Sequence, residues 1–387
     1  MGRNGSNDWK TAQLGDVIEL FDSQRVPLNS RERQEREGEY PYYGAQGVID
    51  HIDGYIFDGR YILVAEDGEN LNSKKLPLAL FATGKFWVNN HAHILRGKSG
   101  VADDTFLLAC LNNADIKPFV TGAAQPKLSQ ANMRLIEIPL PPLLVQRRIA
   151  GILSAYDELM ENSQRRIRLL EAMARALYRE CIREAGESAS AKGILETDCW
   201  TFISANVSPY SGTKRYYATA DIEGLAIHGA GIDYTFAEKP SRAQKQPTPF
   251  SVWFARMKDT YKIAWYSDVN SQSAYSSVLS SGFAGFQPVE PLYFPLLFLT
   301  VSSKDFHAQK DLFCTGATQM SLTNEGLSRI EVPAPSKQAA RQLGEQALPL
   351  LNQMLVLQLR IQNLRRTRDL LLPRLLSGRV HQIKTEP

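Results

Sequence analysis

Two textures alternate along this chain when its apolar residues are read for spacing. From residue 143 to 185 the apolar positions step by four and three: Ile149, Leu153, Tyr156, Met160, Ser163, Ile167, Leu170, Ala174, Leu177 and Cys181, with Ser163 the polar exception. That step is the seam of a heptad helix. A second seam follows at Leu343, Ala347, Leu350, Met354, Leu357, Ile361, Leu364, Arg368, Leu371 and Leu375, each 194 residues after its counterpart. Pro349 lies within it and should kink the second helix or mark its start. Elsewhere, short β-branched and aromatic runs sit between Gly, Asn and Asp: Val48–Asp50, Tyr55–Gly59, Tyr61–Ala65, Lys214–Ile222, Phe250–Arg256 and Tyr261–Trp265. Such runs are strands. The pattern predicts an α+β protein, with two mixed α/β domains on curved sheets and two long helices.

The 194-residue offset extends into an internal repeat. Residues 121–141 and 315–335 align without a gap, and nine of 21 positions are identical, including Thr121, Gly122 and Gln125 against Thr315, Gly316 and Gln319. The first helix starts where the first domain ends and feeds the second domain. If the seams face each other, the second helix must run back, so the pair is antiparallel and the arrangement pseudo-twofold. About 40 helical residues span roughly 60 Å. The small, polar run Gly186–Gly193 reads as a linker. The division is therefore 1–142, helix 143–185, linker 186–195, 196–335, helix 336–376 and tail 377–387. Maximal helix overlap places Tyr156 opposite Arg368 and Ser163 opposite Ile361, and a guanidinium stacked on Tyr156 would explain the charge in the seam. Outside the repeated segment the two bodies share almost no sequence. One scaffold carrying two different readers suits an asymmetric, two-part target.

Composition changes this picture little. Hydrophobic residues make up 43%, charged residues 22%, and the net charge is +3, so any basic surface must be local. Cys110, Cys181, Cys199 and Cys314 are widely spaced and read as reduced thiols. No apolar leader follows Met1, and the run Leu292–Val301, broken by Pro295, is too short to cross a bilayer, so a cytoplasmic location is expected. Thr83-Gly84-Lys85 lacks the rest of a phosphate loop and reads as a turn. His91 and His93 alternate onto one strand face without a third ligand, so no metal is expected. Asp58, Glu66, Asp67 and Glu69 read as turn and surface acids. No catalytic constellation emerges.

The run Tyr40-Pro41-Tyr42-Tyr43-Gly44-Ala45-Gln46-Gly47-Val48-Ile49-Asp50, then Asp58–Gly68, then Trp87–His93, resembles the target recognition domain of type I restriction-modification specificity subunits. The segment Leu364–Gly378 resembles the close of that family's second helix, and the paired TGxxQ segments its domain-to-helix junctions. The resemblance implies a non-catalytic subunit whose domains each read half of a bipartite double-stranded DNA site, with the helices setting the spacer. It implies two methyltransferase subunits and motor-nuclease subunits as partners. S-adenosylmethionine, ATP and magnesium would belong to those partners, with no cofactor in this chain. A specificity subunit of a methylation-only or other phage-defence complex is the alternative. A rod bearing two protein-binding domains is a more distant one.

Phosphates call for Lys, Arg and hydroxyls, and base edges for Arg, Lys, Asn and Gln. In the first half the candidates are Tyr42, Tyr43, Arg60, Asn70, Asn72, Lys74, Lys75, Asn89, Asn90, Gln125 and Lys127. In the second half they are Lys214, Arg215, Tyr216, Lys239, Arg242, Gln244, Lys245, Arg256, Lys258, Lys262 and Gln319.

Overall fold

Two helices, Leu143–Ala185 and Lys337–Leu376, occupy the heptad stretches in a computed structural model that describes residues 9–122, 124–186, 191–317 and 320–378. Pro349 neither starts nor ends the second helix. It is exposed, as is Glu345 one turn earlier, so water can satisfy the carbonyl that the missing N–H leaves free. The chain divides into two units, 1–159 with 364–387 and 160–363. Each unit holds one globular body and one end of both helices.

In the first unit the strands are β1 (Lys10–Gln13), β2 (Ile18–Leu20), β3 (Glu37–Gly44), β4 (Gly47–Ile52), β5 (Phe57–Ala65), β6 (Ala79–Val88), β7 (Ala92–Gly97) and β8 (Glu137–Leu140). Six form one sheet in the order β2-β7-β5-β6-β3-β4, and β1 pairs with β8. The registers force this sheet to coil. Phe57 at the start of β5 pairs with Phe86, so Val88 lies beyond that end, while Ala92 pairs with Ala65 at the other end. Nine residues of straight strand would span about 30 Å, yet the four-residue step from Val88 to Ala92 reaches at most about 14 Å. Gly59 and Gly84, paired across β5 and β6, have φ of +126° and +77°, the left-handed backbone that permits the bend. Thr83-Gly84-Lys85 is thus part of a strand, not a turn. Inside the coil Phe57, Phe86, Tyr43 and Tyr61 pack ring against ring. Outside it, the helix Asp104–Asn113 and the helix ends bury Phe106, Leu107, Ile149, Leu153, Leu375 and Leu376.

The second unit contains β9 (Ala191–Gly193), β10 (Trp200–Phe202), β11 (Lys214–Tyr217), β12 (Ile222–Glu223), β13 (Ala226–Ile227), β14 (Ile232–Tyr234), β15 (Ala243–Lys245), β16 (Ser251–Ala255), β17 (Ile263–Tyr266), β18 (Ser277–Ser280), β19 (Phe283–Pro288), β20 (Cys314–Thr315), β21 (Ser321–Leu322) and β22 (Glu331–Pro333). One four-stranded sheet runs β10-β19-β16-β17, and a second runs β14-β11-β18-β15. The apolar helix Phe294–Val301, wholly buried, fills the space between the first sheet and the long helices. The end of the stretch read as a linker is strand β9, paired with β22; residues 187–190 lie outside the described residues.

The bodies repeat more than their sequences do. The order β2-β7-β5-β6 is matched by β10-β19-β16-β17. Backbone bonds recur with one partner of each 194 residues on: Leu14 N donates to Ile136 O and Ile194 N to Ile330 O, both at 2.8 Å. Leu128 N donates to Glu66 O at 2.7 Å, and Leu322 N to Arg256 O at 2.8 Å. Ser129 and Thr323, also 194 apart, each cap a short helix through the side-chain oxygen. The shared scaffold therefore includes a four-stranded frame inside each body, correcting the expectation that only helices and junctions repeat. Backbone register preserves this frame while its side chains vary.

The helices run antiparallel within each unit. In the first, Ile149 and Leu153 meet Leu371, Leu372, Leu375 and Leu376, and the Arg368 guanidinium donates to Asp157 at 2.7 Å. Arg368 thus lies at the level expected beside Tyr156 but pairs with the neighbouring carboxylates of Asp157 and Asp369 instead of stacking on the ring. In the second, Cys181 donates to Ala339 O, and Ile167, Ala174, Leu343, Ala347, Met354 and Leu357 are buried, with Leu170, Leu177, Leu350 and Ile361 half-buried against them. Tyr156, Met160 and Leu364 are half-buried. Gly344 allows close packing here: a Cβ would stand 2.1 Å from Leu292 O. Gly344→Ala should destabilise the protein by about 1–3 kcal/mol, against the usual helical preference for alanine, with a lower urea midpoint as the readout.

Candidate nucleic-acid interface

A buried polar core fixes one end of the first sheet. Asp22, just after β2, sits 2.6 Å from His93 Nδ1 and accepts from Ile94 N at 2.8 Å. His93 Nε2 donates to Leu128 O at 2.8 Å, with the ring 1% exposed. Arg25 donates to Glu66 at 2.7 Å and to Ala92 O at 2.9 Å, and Lys127 pairs with Glu66 at 3.3 Å. These bonds join the root of the 21–56 segment, the end of β5, the start of β7 and the TGxxQ loop. His91, by contrast, is exposed and bonded to Asp67 at 2.6 Å. The expectation that both histidines share a face fails because His91 precedes β7 and His93 lies within it. Among the described residues no group of three His, Cys, Asp or Glu could hold a metal ion.

From this core a continuous surface extends. Asn89 N donates to Tyr43 O at 3.0 Å, bringing the β3–β4 turn beside the 89–91 loop, and a bridge between Asp67 and Lys127 brings in the TGxxQ loop. Asn90, Gln125 and Lys127 are exposed here, together with Gln46. Two candidates are corrected. Tyr42 is fully buried against Ile52 and Trp87, its hydroxyl accepting from Leu28 N at 2.9 Å. Asn89 is 7% exposed, its Oδ1 accepting from His91 N to shape the turn. Tyr43 is half-buried in the aromatic cluster.

The remaining first-half candidates lie elsewhere. Lys74 donates to Ala114 O at the end of the helix Asp104–Asn113, and Asn70 bonds Leu76 on both its backbone groups' sides, its Oδ1 accepting from Leu76 N and its amide donating to Leu76 O. Arg60 lies over the Phe81 ring and donates to Thr105. Asn70, Lys74 and Lys75 border a cavity of about 600 Å³ that also reaches Leu153 and Leu372 on the long helices. Asn72 is exposed beside them. This group faces the helices, apart from the Asn90–Lys127 surface.

In the second unit Lys214, Arg215, Tyr216, Gln244 and Lys245 belong to the β14-β11-β18-β15 sheet or its edge. Arg215 is bound on two nitrogens by Asp233, and Lys214 donates to Gln246. Lys239 lies over Phe236 and Arg242 is exposed. Lys262 pairs with Glu223 and Lys258 is half-buried. Gln319 lies outside the described residues. Lys245 and Arg256 form a distinct pair. Lys245 donates to Asn206 Oδ1 and Ser204 O; Arg256 donates to Leu322 O and Asn324 Oδ1. All four acceptors are neutral. Burial, then the repulsion of Arg256, lowers the Lys245 pKa, and burial lowers that of Arg256. Among the described residues neither cation has a carboxylate partner, which leaves a local positive potential suited to an anion.

Sequence reading missed the exposed hairpin residues Gln46, Val48 and Ile49, although the adjacent apolar pair after Gly47 breaks strand alternation. It also missed Arg25, which nothing in the local sequence distinguishes from a surface arginine.

The fold comprises two units, each a globular body packed on antiparallel segments of the two long helices. Residues 6–172 match the family of the type I restriction modification DNA specificity domain. A protein of Haemophilus influenzae named as a type I restriction enzyme specificity subunit is 38% identical over 153 residues, covering 39% of this chain and 38% of that one. The specificity subunit of the type I restriction enzyme MjaVIII of Methanocaldococcus jannaschii is 26% identical over 184 residues, covering 45% of this chain and 41% of that one. The aligned parts thus span less than half the length of these two relatives. The crystal structure of the type I restriction-modification S subunit from M. genitalium has the same fold, with a TM-score of 0.60 and 16% identity over 97% of this chain and 98% of that one. Residues 6–172 thus resemble the type I restriction modification DNA specificity domain, and the chain has the fold of that S subunit. Among the described residues no helix is long and apolar enough to cross a membrane.

Proposed function

We propose that this chain is the non-catalytic subunit that selects the DNA sequence for a type I restriction-modification enzyme, each body reading one half of a bipartite site. The observation that carries this reading is the repeated frame with unlike insertions, in a chain whose first half matches the specificity domain. Equal frames give two bodies the same way of approaching a duplex, and unlike insertions let them prefer different bases. On this reading two methyltransferase subunits and the motor-nuclease subunits bind the chain in the cytoplasm. S-adenosylmethionine, ATP and magnesium act on those partners, and none acts here.

The test assembles the full chain with its methyltransferase subunits and maps methylated positions in a random DNA library. A two-part, asymmetric motif is expected, with an affinity that falls steeply as salt rises. Exchanging residues 1–142 with those of a relative should change one half of the motif alone. Binding without sequence choice would overturn the proposal and favour a rod that carries protein-binding domains.

A further inference from the structure

A part that both bodies have in common cannot tell two half-sites apart, and a run common to the recognition domains of a family cannot set one member's target. The frame β10-β19-β16-β17 has its like in the first body. Residues 203–250, between β10 and β16, instead build most of a separate sheet, where the first body has a hairpin that joins its frame. The end of this insertion, residues 237–250, also lies beyond residues 6–172 and outside every run in which the chain resembles those recognition domains.

The insertion meets the frame at the turn Ser281-Gly282, between β18 and β19. Ser281 N donates to Arg242 O at 2.7 Å and Arg256 N to Gly282 O at 2.8 Å, so Arg242 of the insertion and Arg256 of the frame are bonded to consecutive residues. Lys245, whose pKa is lowered by burial and then by Arg256, makes a third cation here. This is the end of the frame that carries the Asn90–Lys127 surface in the first body, since Leu322 N bonds Arg256 O as Leu128 N bonds Glu66 O. The three cations are held differently. Lys245 and Arg256 are half-buried and tied to neutral acceptors, among them the Oδ1 atoms of Asn206 and Asn324. Arg242 is exposed, and among the described residues its guanidinium has no hydrogen bond or ion pair. Its backbone is nonetheless fixed: the Ser281 bond holds it, and Ala243 beside it is fully buried, paired with Ser280 and donating to Pro240 O at 2.8 Å. A free fork on a fixed backbone loses little entropy on binding beyond that of its own side chain. Asn206 and Asn324 give their oxygens to the cations, so they keep N–H donors for a ligand. Such a surface of donors calls for acceptors. Phosphate supplies them, and so does the major-groove edge of guanine, the base edge with two acceptors and no donor, whose N7 and O6 match an arginine fork.

We infer that Arg242 is a base-reading residue of the second body, its guanidinium entering the major groove to bond guanine N7 and O6 while Lys245 and Arg256 hold the adjoining phosphates. The inference rests on the proposed function and carries it to a named residue and base.

The test uses the full chain assembled with its methyltransferase subunits, comparing wild type with Arg242→Ala and Arg242→Lys. Affinities are measured for the methylated site, for sites altered one base pair at a time, and for sites in which 7-deazaguanine, which lacks the N7 acceptor, replaces each guanine in turn. One guanine should respond in wild type, in the half-site that exchange of residues 1–142 leaves unchanged. In Arg242→Ala discrimination at that base pair should fall about 10- to 100-fold, and the response to 7-deazaguanine should vanish. Arg242→Lys keeps the charge without the fork, so it should keep the salt slope and fall between the two in discrimination. The other half-site and the melting temperature should not change. A half-site without guanine overturns the inference, as does discrimination that survives Arg242→Ala. So does a loss equal for all sequences with the salt slope flattened by about 0.9, which marks a phosphate contact, or a loss of methyltransferase assembly alone, which marks a protein contact. A wild-type complex that selects no sequence instead overturns the proposed function itself, so the two failures are distinguishable.

Discussion

Replacing Lys245 and Arg256 together by glutamine should weaken DNA binding by the assembled complex about 30-fold at 0.15 M salt. Each phosphate neutralised contributes about 0.9 to the slope of log affinity against log salt, so losing two contacts should flatten that slope by about 1.8. Measured from the 1 M limit, where this contribution vanishes, a slope change of about 1.8 corresponds to the 30-fold loss at 0.15 M. Lys245→Gln alone should lower affinity about fivefold and the slope by about 0.9. The loss should be the same for all sequences, because a phosphate contact carries no base information. Lys245 and Arg256 are the right pair for this experiment because their acceptors, Ser204 O, Asn206, Leu322 O and Asn324, are all neutral. Arg215, held on both sides by Asp233, is the internal control: Arg215→Gln should change the slope far less. Equilibrium titrations at four or five salt concentrations decide the matter, and an unchanged slope in the double variant would remove both residues from the interface.

How much of this was legible in the sequence depended on whether a feature is local. The helices were legible because a heptad step needs no tertiary information, and their antiparallel direction followed from connectivity. The junctions were legible because Thr121–Pro141 and Thr315–Pro335 keep the same side chains where caps and tight turns demand particular residues. The four-stranded frame was not legible. It is held by backbone registers and by generic burial, and Leu63 and Val64 meet that demand as well as Val252 and Phe254 do. Side-chain direction was the other loss. Tyr42 and Tyr43 read alike in a Tyr-Pro-Tyr-Tyr-Gly run, yet as neighbours on β3 they face opposite ways, the first wholly buried and the second half-buried. Lys74 and Lys75 read as a basic patch, but only the fold shows the Lys74 ammonium on the carbonyl of Ala114. Val48 and Ile49 escaped notice because an exposed apolar pair and a buried one have the same sequence.

Lys310→Met should destabilise the second unit by about 3 kcal/mol, a large loss from one exposed-looking residue type. Lys310 is fully buried, an unusual place for an ammonium. Its Nζ donates to Met257 O at 2.7 Å and Thr260 O at 3.0 Å and pairs with Asp311 at 2.9 Å. Asp311 in turn accepts from Asp259 N at 3.0 Å, and Asp259 holds the left-handed φ of +55°. Lysine and aspartate together therefore clamp the tight turn 257–260 from below. Methionine keeps the length of the stem but takes the ammonium donor from Thr260 O, leaves Met257 O with the Thr260 hydroxyl in place of two donors, and leaves a half-buried carboxylate without its cation. The turn matters beyond stability. Met257 bridges to Ser321, and Lys258 N donates to Met320 O, so this turn fixes residues 320–322, which follow the TGxxQ segment, beside Arg256. In the first body Asp67 bridges to Lys127 and Gly68 N donates to Pro126 O as the counterparts of these contacts, with no buried lysine beneath among the described residues. Lys310→Met should accordingly lower the urea midpoint and, at temperatures where the chain stays folded, raise amide exchange across residues 256–260 and 320–322 while the equivalent first-body segments 66–68 and 126–128 keep their protection. Equal exchange in both bodies, or an unchanged midpoint, would show that the ammonium is dispensable to the turn.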